Sequence, residues 1–266
     1  MIETPEVTIE KVSCALGDGN RSLSELAFEA LGKLPSTDGV AGVVAATFSN
    51  PERFPSLAVR VAAEMGLPAG TPAFDIQMAC SAYPYAVYLA GKMSADTGGK
   101  VLVVDGDAQT RLVDASDRAT GGIFSDAATC SIVSCQARGE DTGRTSRFAF
   151  LSRADEALAC TESGPIRMDG MKVFTFVATE VSAFLRGFGG DFDWFAPHQA
   201  NPYMVRQLAK SLGLKDRLLK IDESVRNPGS CSVPMALAKA PPGEKRVLIA
   251  GFGAGYSAAA GLVRVL

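Results

Sequence analysis

Residues 74–87 read FDIQMACSAYPYAV, an extended apolar run that stops at a cysteine, where a helical run begins. This pattern predicts that Cys80 lies at a helix N-terminus, where free backbone N–H groups and the helix dipole favour a thiolate. A thiolate of low pKa is a nucleophile at neutral pH. Because a buried cysteine is also a common small hydrophobic residue, the rest of the chain has to decide between the two interpretations.

Two later stretches favour the nucleophile. The segment WFAPHQAN at residues 194–201 contains the only histidine of the chain, His198, at the end of a predicted strand. The segment VRNPGS at residues 225–230 places Asn227 in a strong turn sequence. Cysteine, histidine and asparagine that are distant in sequence can meet in a fold as a nucleophile, a base or donor, and an orienting amide.

Composition excludes several classes of protein. The 266 residues are 47% hydrophobic and 21% charged, with a net charge of -3, which is ordinary for a globular protein and offers no basic surface for nucleic acid. No apolar run reaches the roughly 18 residues of a membrane span, and the chain does not start with a signal-peptide pattern, so we expect a cytoplasmic protein. Six cysteines at irregular spacings and one histidine predict neither a disulfide framework nor a metal site.

Strands and helices alternate along the chain, which predicts an α/β fold with a parallel-rich sheet covered by helices. In the first half, a strand at 40–48 and a helix at 55–66 precede the cysteine stretch. In the second half, a long helix at 168–188 precedes a strand at 193–196 that ends at His198. Each half thus delivers a candidate catalytic residue from a strand to the start of a helix, which indicates a duplicated architecture.

The segment GFGAGYSA at residues 251–258 contains a GxGxxA pattern that is typical of dinucleotide sites. Too few residues follow it for the required βαβ unit, so we reject that interpretation. Glycines there let the backbone pass close to a reacting group, and a turn amide aimed at an oxyanion is one use of that approach. We therefore predict an oxyanion hole made by the backbone N–H groups of Cys80 and Ala254.

Together these motifs resemble the β-ketoacyl-acyl-carrier-protein synthase III family of the thiolase superfamily. The resemblance rests on the Cys80 stretch, on PHQAN at 197–201, on the Asn227 turn and on the closing GFGAG, and it covers almost the whole chain. It implies a thiolase-like, five-layered αβαβα fold made of two similar halves. We expect residues 1–156 to carry the nucleophile and residues 157–266 to carry the histidine and asparagine, within a homodimer.

The resemblance also assigns roles to residues. It implies that a thioester acylates Cys80 and that His198 Nε2 and the Asn227 amide donate hydrogen bonds to the carbonyl of the incoming thioester. Four further substrate-binding residues are implied: Arg118 against the coenzyme A adenine, Phe54 near the dimer interface, and Asn201 and Phe252 at the active site. Neither a metal nor a bound cofactor is expected, because the substrates are thioesters of coenzyme A or of acyl carrier protein.

Departures from the family pattern keep three functions open. Family members begin with several dozen residues that have no counterpart here, so the chain resembles an N-terminally shortened member; Tyr203 and Arg226 also replace the usual arginine and glycine. The candidate functions are a decarboxylating condensing enzyme, an acyltransferase or thioesterase, and a structural subunit that pairs with a full-length synthase. Retention of Cys80, His198 and Asn227 argues against the structural subunit, and a second donor beside the histidine favours condensation.

Overall fold

The computed structural model describes residues 1–136, 143–161 and 164–266. Its strands are β1 (Ile2–Pro5), β2 (Val7–Leu16), β3 (Val40–Ala46), β4 (Ala73–Ile76), β5 (Lys100–Asp107), β6 (Ala127–Cys135), β7 (Thr145–Ser152), β8 (Leu158–Ala159), β9 (Arg167–Met168), β10 (Trp194–Pro197), β11 (Lys245–Gly253) and β12 (Ser257–Val265). Its α-helices are α1 (Leu23–Gly32), α2 (Leu57–Glu64), α3 (Ala82–Thr97), α4 (Gly170–Phe176), α5 (Ser182–Arg186), α6 (Pro202–Ser211) and α7 (Ser232–Leu237).

Within the described residues, the long strands form two groups that share one curled sheet. The first group has the order β4-β3-β5-β6-β2, and the second has the order β10-β11-β12-β7-β1. The groups join where β12 runs parallel to β2, through the pairs Arg264 with Thr8 and Val265 with Ile9. In each group the outermost parallel strand, β4 or β10, ends just before a candidate catalytic residue, and these two residues, Cys80 and His198, line one cavity.

Helices cover both faces of each strand group and create three packed cores. Helices α1 and α2 pack on the outer face of the first group, whereas α3 and α7 lie between the two groups. Helices α4 to α6 cover the outer face of the second group. Strand β5 has apolar side chains on both faces, which lets helices pack on either side of it: Leu102 and Val104 face the outer core, and Val101 and Val103 face the central core. The layers confirm the predicted αβαβα fold.

Local sequence signals explain several element boundaries. Ser22 and Glu25 form a capping box at the start of α1, as their spacing predicts. Asn201 caps α6 by accepting a hydrogen bond from the Met204 backbone N–H, and Pro202 occupies the first turn. Helix α3 ends at Gly98, which adopts the left-handed conformation.

The structure corrects the predicted elements in two places. The long helix predicted at 168–188 begins at Gly170 and contains a π-helical segment, Val177–Val181, between α4 and α5. The last residues form β12, a central strand that the sequence reading did not identify. Strand β7 precedes the predicted boundary at residue 156 and pairs with β12 of the second group, while the boundary itself stays a prediction.

Among the helices of the described residues, none combines the length and the apolar character that a membrane crossing requires.

Candidate active site

Cys80 lies at the entrance to the central helix α3. Strand β4 ends at Ile76, and a single 3₁₀ turn, Ala79–Ser81, leads directly into the helix. Ala79 has a φ of 42°, a left-handed conformation that is uncommon for a residue with a side chain. Such strain is characteristic of functional sites, and here it immediately precedes the buried sulfur.

The turn after β11 covers the Cys80 sulfur. Gly253 has a φ of 149°, and a Cβ atom built on it would lie 3.3 Å from Cys80 Sγ. A Cβ on Gly251 would lie 2.7 Å from the Cys80 carbonyl oxygen, which is closer than real contacts allow. The backbone N–H of Ala254 donates a hydrogen bond to the Cys80 thiol. Two backbone N–H groups, those of Cys80 and Ala254, therefore lie beside the sulfur, where an acyl oxygen would be bound.

Electrostatics at Cys80 contradict the predicted thiolate of low pKa. Burial raises the pKa of the Cys80 thiol to about 11, although the Ala254 N–H opposes the rise. The negative charge of Asp107 adds to the increase. Since desolvation of a buried sulfur exceeds the effect of the nearby N–H groups, the resting group is a thiol, and its reaction requires a base.

His198 follows β10 and is almost completely buried, with 1% of its surface exposed. Its backbone N–H donates to the Ala250 carbonyl, which ties it to β11. On the ring, Nδ1 lies 2.9 Å from the hydroxyl oxygen of Ser232, and the edge-on ring of Phe252 lies 5.6 Å away between centroids. Burial lowers the pKa of His198 to about 4, so the imidazole is neutral at physiological pH.

Asn227 presents an amide donor. Its Oδ1 accepts a hydrogen bond of 2.9 Å from the Gly229 backbone N–H, so Nδ2 is the part of the amide left for a ligand. Its backbone is held by Ile123, whose carbonyl accepts the Asn227 N–H, and by Gln109, whose Nε2 donates to the Asn227 carbonyl at 2.8 Å. The turn chemistry of the sequence thus aims a side-chain donor rather than merely reversing the chain.

Two buried carboxyl groups lie at the end of β5, next to this turn. Asp105 Oδ1 accepts a hydrogen bond of 2.5 Å from the Ser230 hydroxyl, and its backbone carbonyl accepts from Cys231 Sγ at 2.9 Å. Burial raises the pKa of Asp105 well above its ordinary value, and the neighbouring charge of Asp107 contributes to the increase. Burial likewise raises the pKa of Asp107 to about 7, although N–H and hydroxyl donors from residues 47–49 oppose this. Asp105 thus attaches the turn after Asn227 to the first half of the molecule, whereas Asp107 holds the loop that follows β3.

Two cavities lined by described residues meet at Cys80. The Phe48 cavity, of about 410 Å³, is lined by Phe48, Met78, Gln109, Arg153, Cys160, Ile166 and other residues. The His198 cavity, of about 310 Å³, is lined by His198, Asn201, Glu223, Arg226, Asn227, Phe252 and other residues. Phe124 and Leu158 also line both cavities. A thioester entering through one cavity can therefore leave its acyl group in the other.

The structure brings together most of the residues that the sequence singled out, but not all of them. Cys80, His198, Asn201, Asn227 and Phe252 line the His198 cavity. Arg118 is exposed and Phe54 has 86% of its surface exposed, and among the described cavities neither residue lines the two that reach Cys80.

Sequence reasoning missed three polar residues that support the site: Gln109, Asp105 and Ser232. Asp105 and Asp107 end a strand that is buried on both faces, and Gln109 follows it at the start of a 3₁₀ turn; polar residues directly after such an apolar run were a detectable signal. Ser232 gave no signal, because a serine at a helix start is normally read as a cap.

Comparisons with known proteins identify the family of the chain. Residues 74–152 match the family profile described as 3-oxoacyl-[acyl-carrier-protein (ACP)] synthase III, and residues 189–265 match its C-terminal profile. A β-ketoacyl-[acyl-carrier-protein] synthase III from Sphingopyxis alaskensis is 32% identical over 228 residues, which cover 79% of this chain and 70% of the relative. A similarly named relative from Deinococcus radiodurans is 31% identical over 264 residues, covering 90% and 77%.

A solved structure of a 3-oxoacyl-(acyl-carrier protein) synthase from Burkholderia xenovorans has the same fold. It superposes with a TM-score of 0.86 at 22% identity, over 99% of this chain and 95% of the other. Its sequence identity supports the fold alone, whereas the curated relatives and the two profiles bear on the family.

Proposed function

The chain belongs to the 3-oxoacyl-[acyl-carrier-protein] synthase III family, and on that premise we propose that it is a condensing enzyme that joins an acyl group to a malonyl-type thioester. Cys80 is acylated first, and the acyl group is then transferred to the carbon that loses CO₂. The observation that carries the proposal is the placement of Cys80 where the two cavities meet, with the Asn227 donor in one of them.

In the first half-reaction the Cys80 sulfur attacks the carbonyl carbon of an acyl thioester. The backbone N–H groups of Cys80 and Ala254 stabilise the oxyanion, and donors of this kind are worth about 3 kcal/mol each in the transition state. We assign the acyl chain to the Phe48 cavity, since Phe48, Met78 and Ile166 give it an apolar lining. The carrier arm, from coenzyme A or acyl carrier protein, then occupies the His198 cavity, where His198 and Asn227 face the thioester.

In the second half-reaction the malonyl-type thioester replaces the departed carrier in the His198 cavity. Breaking its bond to CO₂ leaves an enolate whose oxygen needs a neutral donor, and Asn227 Nδ2 supplies one. The enolate carbon attacks the acyl carbon on Cys80, and the Cys80 sulfur leaves. A thioesterase or an alcohol-acylating enzyme has no enolate to stabilise, so the amide donor favours condensation over those alternatives.

Exposed apolar side chains near the first strand group support a homodimer. Phe54 is 86% exposed and Phe74, on β4, is 38% exposed. Within the described residues β4 has a strand neighbour on one side only, β3. We assign this edge to a two-fold interface in which Phe54 contacts the partner subunit, since closed two-fold pairing is the commonest assembly.

Intact-mass measurement after incubation with a panel of acyl thioesters tests the proposal. We expect one acyl group on the wild-type chain, none on Cys80→Ala, and unchanged labelling of Cys160→Ala, a matched control because Cys160 also lines the Phe48 cavity. Addition of a malonyl thioester should then release CO₂ and restore the unmodified mass. An acyl-enzyme that discharges to water or to an alcohol without loss of CO₂ would replace the condensing enzyme with a thioesterase or acyltransferase.

A further inference from the structure

Ser232 is the residue in contact with the inner edge of the catalytic histidine. It is the first residue of α7, is fully buried, and its hydroxyl oxygen lies 2.9 Å from His198 Nδ1. The same oxygen lies 2.8 Å from the Gly229 carbonyl and 2.9 Å from the Gln199 backbone nitrogen. Three polar atoms therefore surround one hydroxyl group, away from solvent.

The hydrogen-bond capacity of a hydroxyl decides how these contacts are filled. A serine hydroxyl has one hydrogen to donate and two lone pairs that accept. The Gly229 carbonyl only accepts, so the hydrogen is directed at it; otherwise two oxygens would face each other at 2.8 Å with no hydrogen between them. The Gln199 N–H only donates and uses one lone pair. The remaining lone pair has to accept from His198, which requires a hydrogen on Nδ1.

Two other observations agree with that assignment. The Gly229 carbonyl also hydrogen-bonds the His198 ring and raises its pKa, as an acceptor of a ring N–H does. The ring is neutral, since burial lowers its pKa to about 4, so the second nitrogen carries no hydrogen. Because Nδ1 is bound to Ser232 and the ring lines the His198 cavity, Nε2 is the nitrogen that faces the cavity shared with Cys80.

We propose that Ser232 is a positioning residue that holds His198 in the Nδ1–H tautomer, so that the Nε2 lone pair serves as the base for the Cys80 thiol. This inference rests on the proposed function. The family resemblance implies that His198 Nε2 donates a hydrogen bond to the thioester carbonyl. In the proposed tautomer, Nε2 of the free enzyme is a hydrogen-bond acceptor, and the Asn227 amide is the side-chain donor.

The proton balance of the acylation step follows. Nε2 takes the hydrogen from Cys80 Sγ while the sulfur forms a bond to the thioester carbonyl carbon. When the tetrahedral intermediate breaks its bond to the carrier sulfur, Nε2 returns the proton to that sulfur. His198 is then neutral again with its hydrogen on Nδ1, and the carrier leaves as a thiol. The proton moves only as the C–S bond forms, because a ring with a pKa of about 4 cannot deprotonate a resting thiol with a pKa of about 11, whereas the sulfur becomes far more acidic once it bonds to the carbonyl carbon.

Nitrogen NMR of the free protein tests the tautomer directly. The chain has a single histidine, so labelling the imidazole nitrogens gives two signals that both come from His198. We expect a protonated Nδ1 and an unprotonated Nε2 at neutral pH in the wild-type protein. A hydrogen on Nε2 would overturn the proposal, and because no substrate is present, this outcome is independent of whether the proposed condensation occurs.

Variants test whether Ser232 causes this state. In Ser232→Ala we expect the single tautomer to be lost and the rate of Cys80 acylation to fall at least about tenfold with little change in KM, since base assistance contributes factors of about 10²–10⁴. Ser232→Thr retains the hydroxyl and should restore both the tautomer and the rate. Ser230→Ala is the matched control, because Ser230 lies in the same turn but bonds to Asp105, and it should keep the Nδ1–H tautomer. An unchanged tautomer and acylation rate in Ser232→Ala would overturn the proposal; if that variant does not fold, the Ser232→Thr and wild-type spectra still decide it.

Discussion

Alkylation of Cys80 by iodoacetamide as a function of pH tests the electrostatics of the site. The reagent reacts with thiolate, so its rate follows the ionised fraction of the thiol. Burial places the pKa of Cys80 at about 11, two units above the ordinary value of 9.0. At about pH 8 the ionised fraction is then about one in a thousand, compared with about one in ten for an ordinary thiol, which is a hundredfold difference in rate.

The assay measures alkylation of the peptide that contains Cys80 by mass spectrometry, with the exposed Cys160 as an internal reference. We expect the Cys80 rate to rise about tenfold per pH unit between roughly pH 7 and pH 10, without a plateau. His198→Ala should show the same slope, because the neutral histidine does not form an ion pair with the thiol. A plateau near neutral pH in the wild-type protein would refute the reasoning and restore the thiolate of low pKa that the sequence predicts.

Three further predictions concern the neighbourhood of the sulfur, the histidine and the exposed loop. Gly253→Ala should slow acylation strongly, because the added Cβ would lie 3.3 Å from Cys80 Sγ. Gly243→Ala is the control, since Gly243 also has a positive φ but has open space around it, and this variant should lose stability without slower acylation. Acylation rates and urea unfolding distinguish the two effects. The pKa of His198 is about 4 in the folded protein and 6.5 in the unfolded chain, so the unfolded chain binds more protons between these pH values. The free energy of unfolding therefore falls as the pH drops from 6.5 to 4. Measured by urea unfolding, the wild type should lose up to about 3 kcal/mol by pH 4 relative to His198→Gln. Sedimentation should show a dimer that Phe54→Asp weakens, and a stable, active wild-type monomer would contradict the assigned interface.

Most of the fold followed from local patterns. The strand predicted at 40–48, the helix at 55–66 and the strand at 193–196 correspond to β3, α2 and β10. The family resemblance supplied the layered architecture, which the structure and the comparisons confirm. Strand β12 was missed because small residues such as Ala258 and Ala260 have weak strand preference, and its pairing with β2, β7 and β11 is decided by partners far away in sequence.

The sequence singled out three residues that the structure places around one cavity, and it missed the residues that support them. Cys80 and His198 were indicated by their positions at strand ends, and the family resemblance was needed to single out Asn227, because its turn sequence alone indicates only a turn. The ionisation of Cys80 was predicted wrongly, since helix position is visible in the sequence but the degree of burial is not. The contact between Ser232 and His198 joins residues 34 positions apart, and no local pattern indicates it.

Product formation by Asn227→Ala tests the central claim most directly. The variant and the wild type are acylated by the same thioester, a malonyl thioester is added, and both CO₂ release and the mass of the acyl-enzyme are followed. If Cys80 carries the acyl group and the Asn227 amide binds the enolate, the variant acylates at close to the wild-type rate and then persists as the acyl-enzyme, with little CO₂ or condensed product. Wild-type amounts of condensed product from Asn227→Ala would contradict the account.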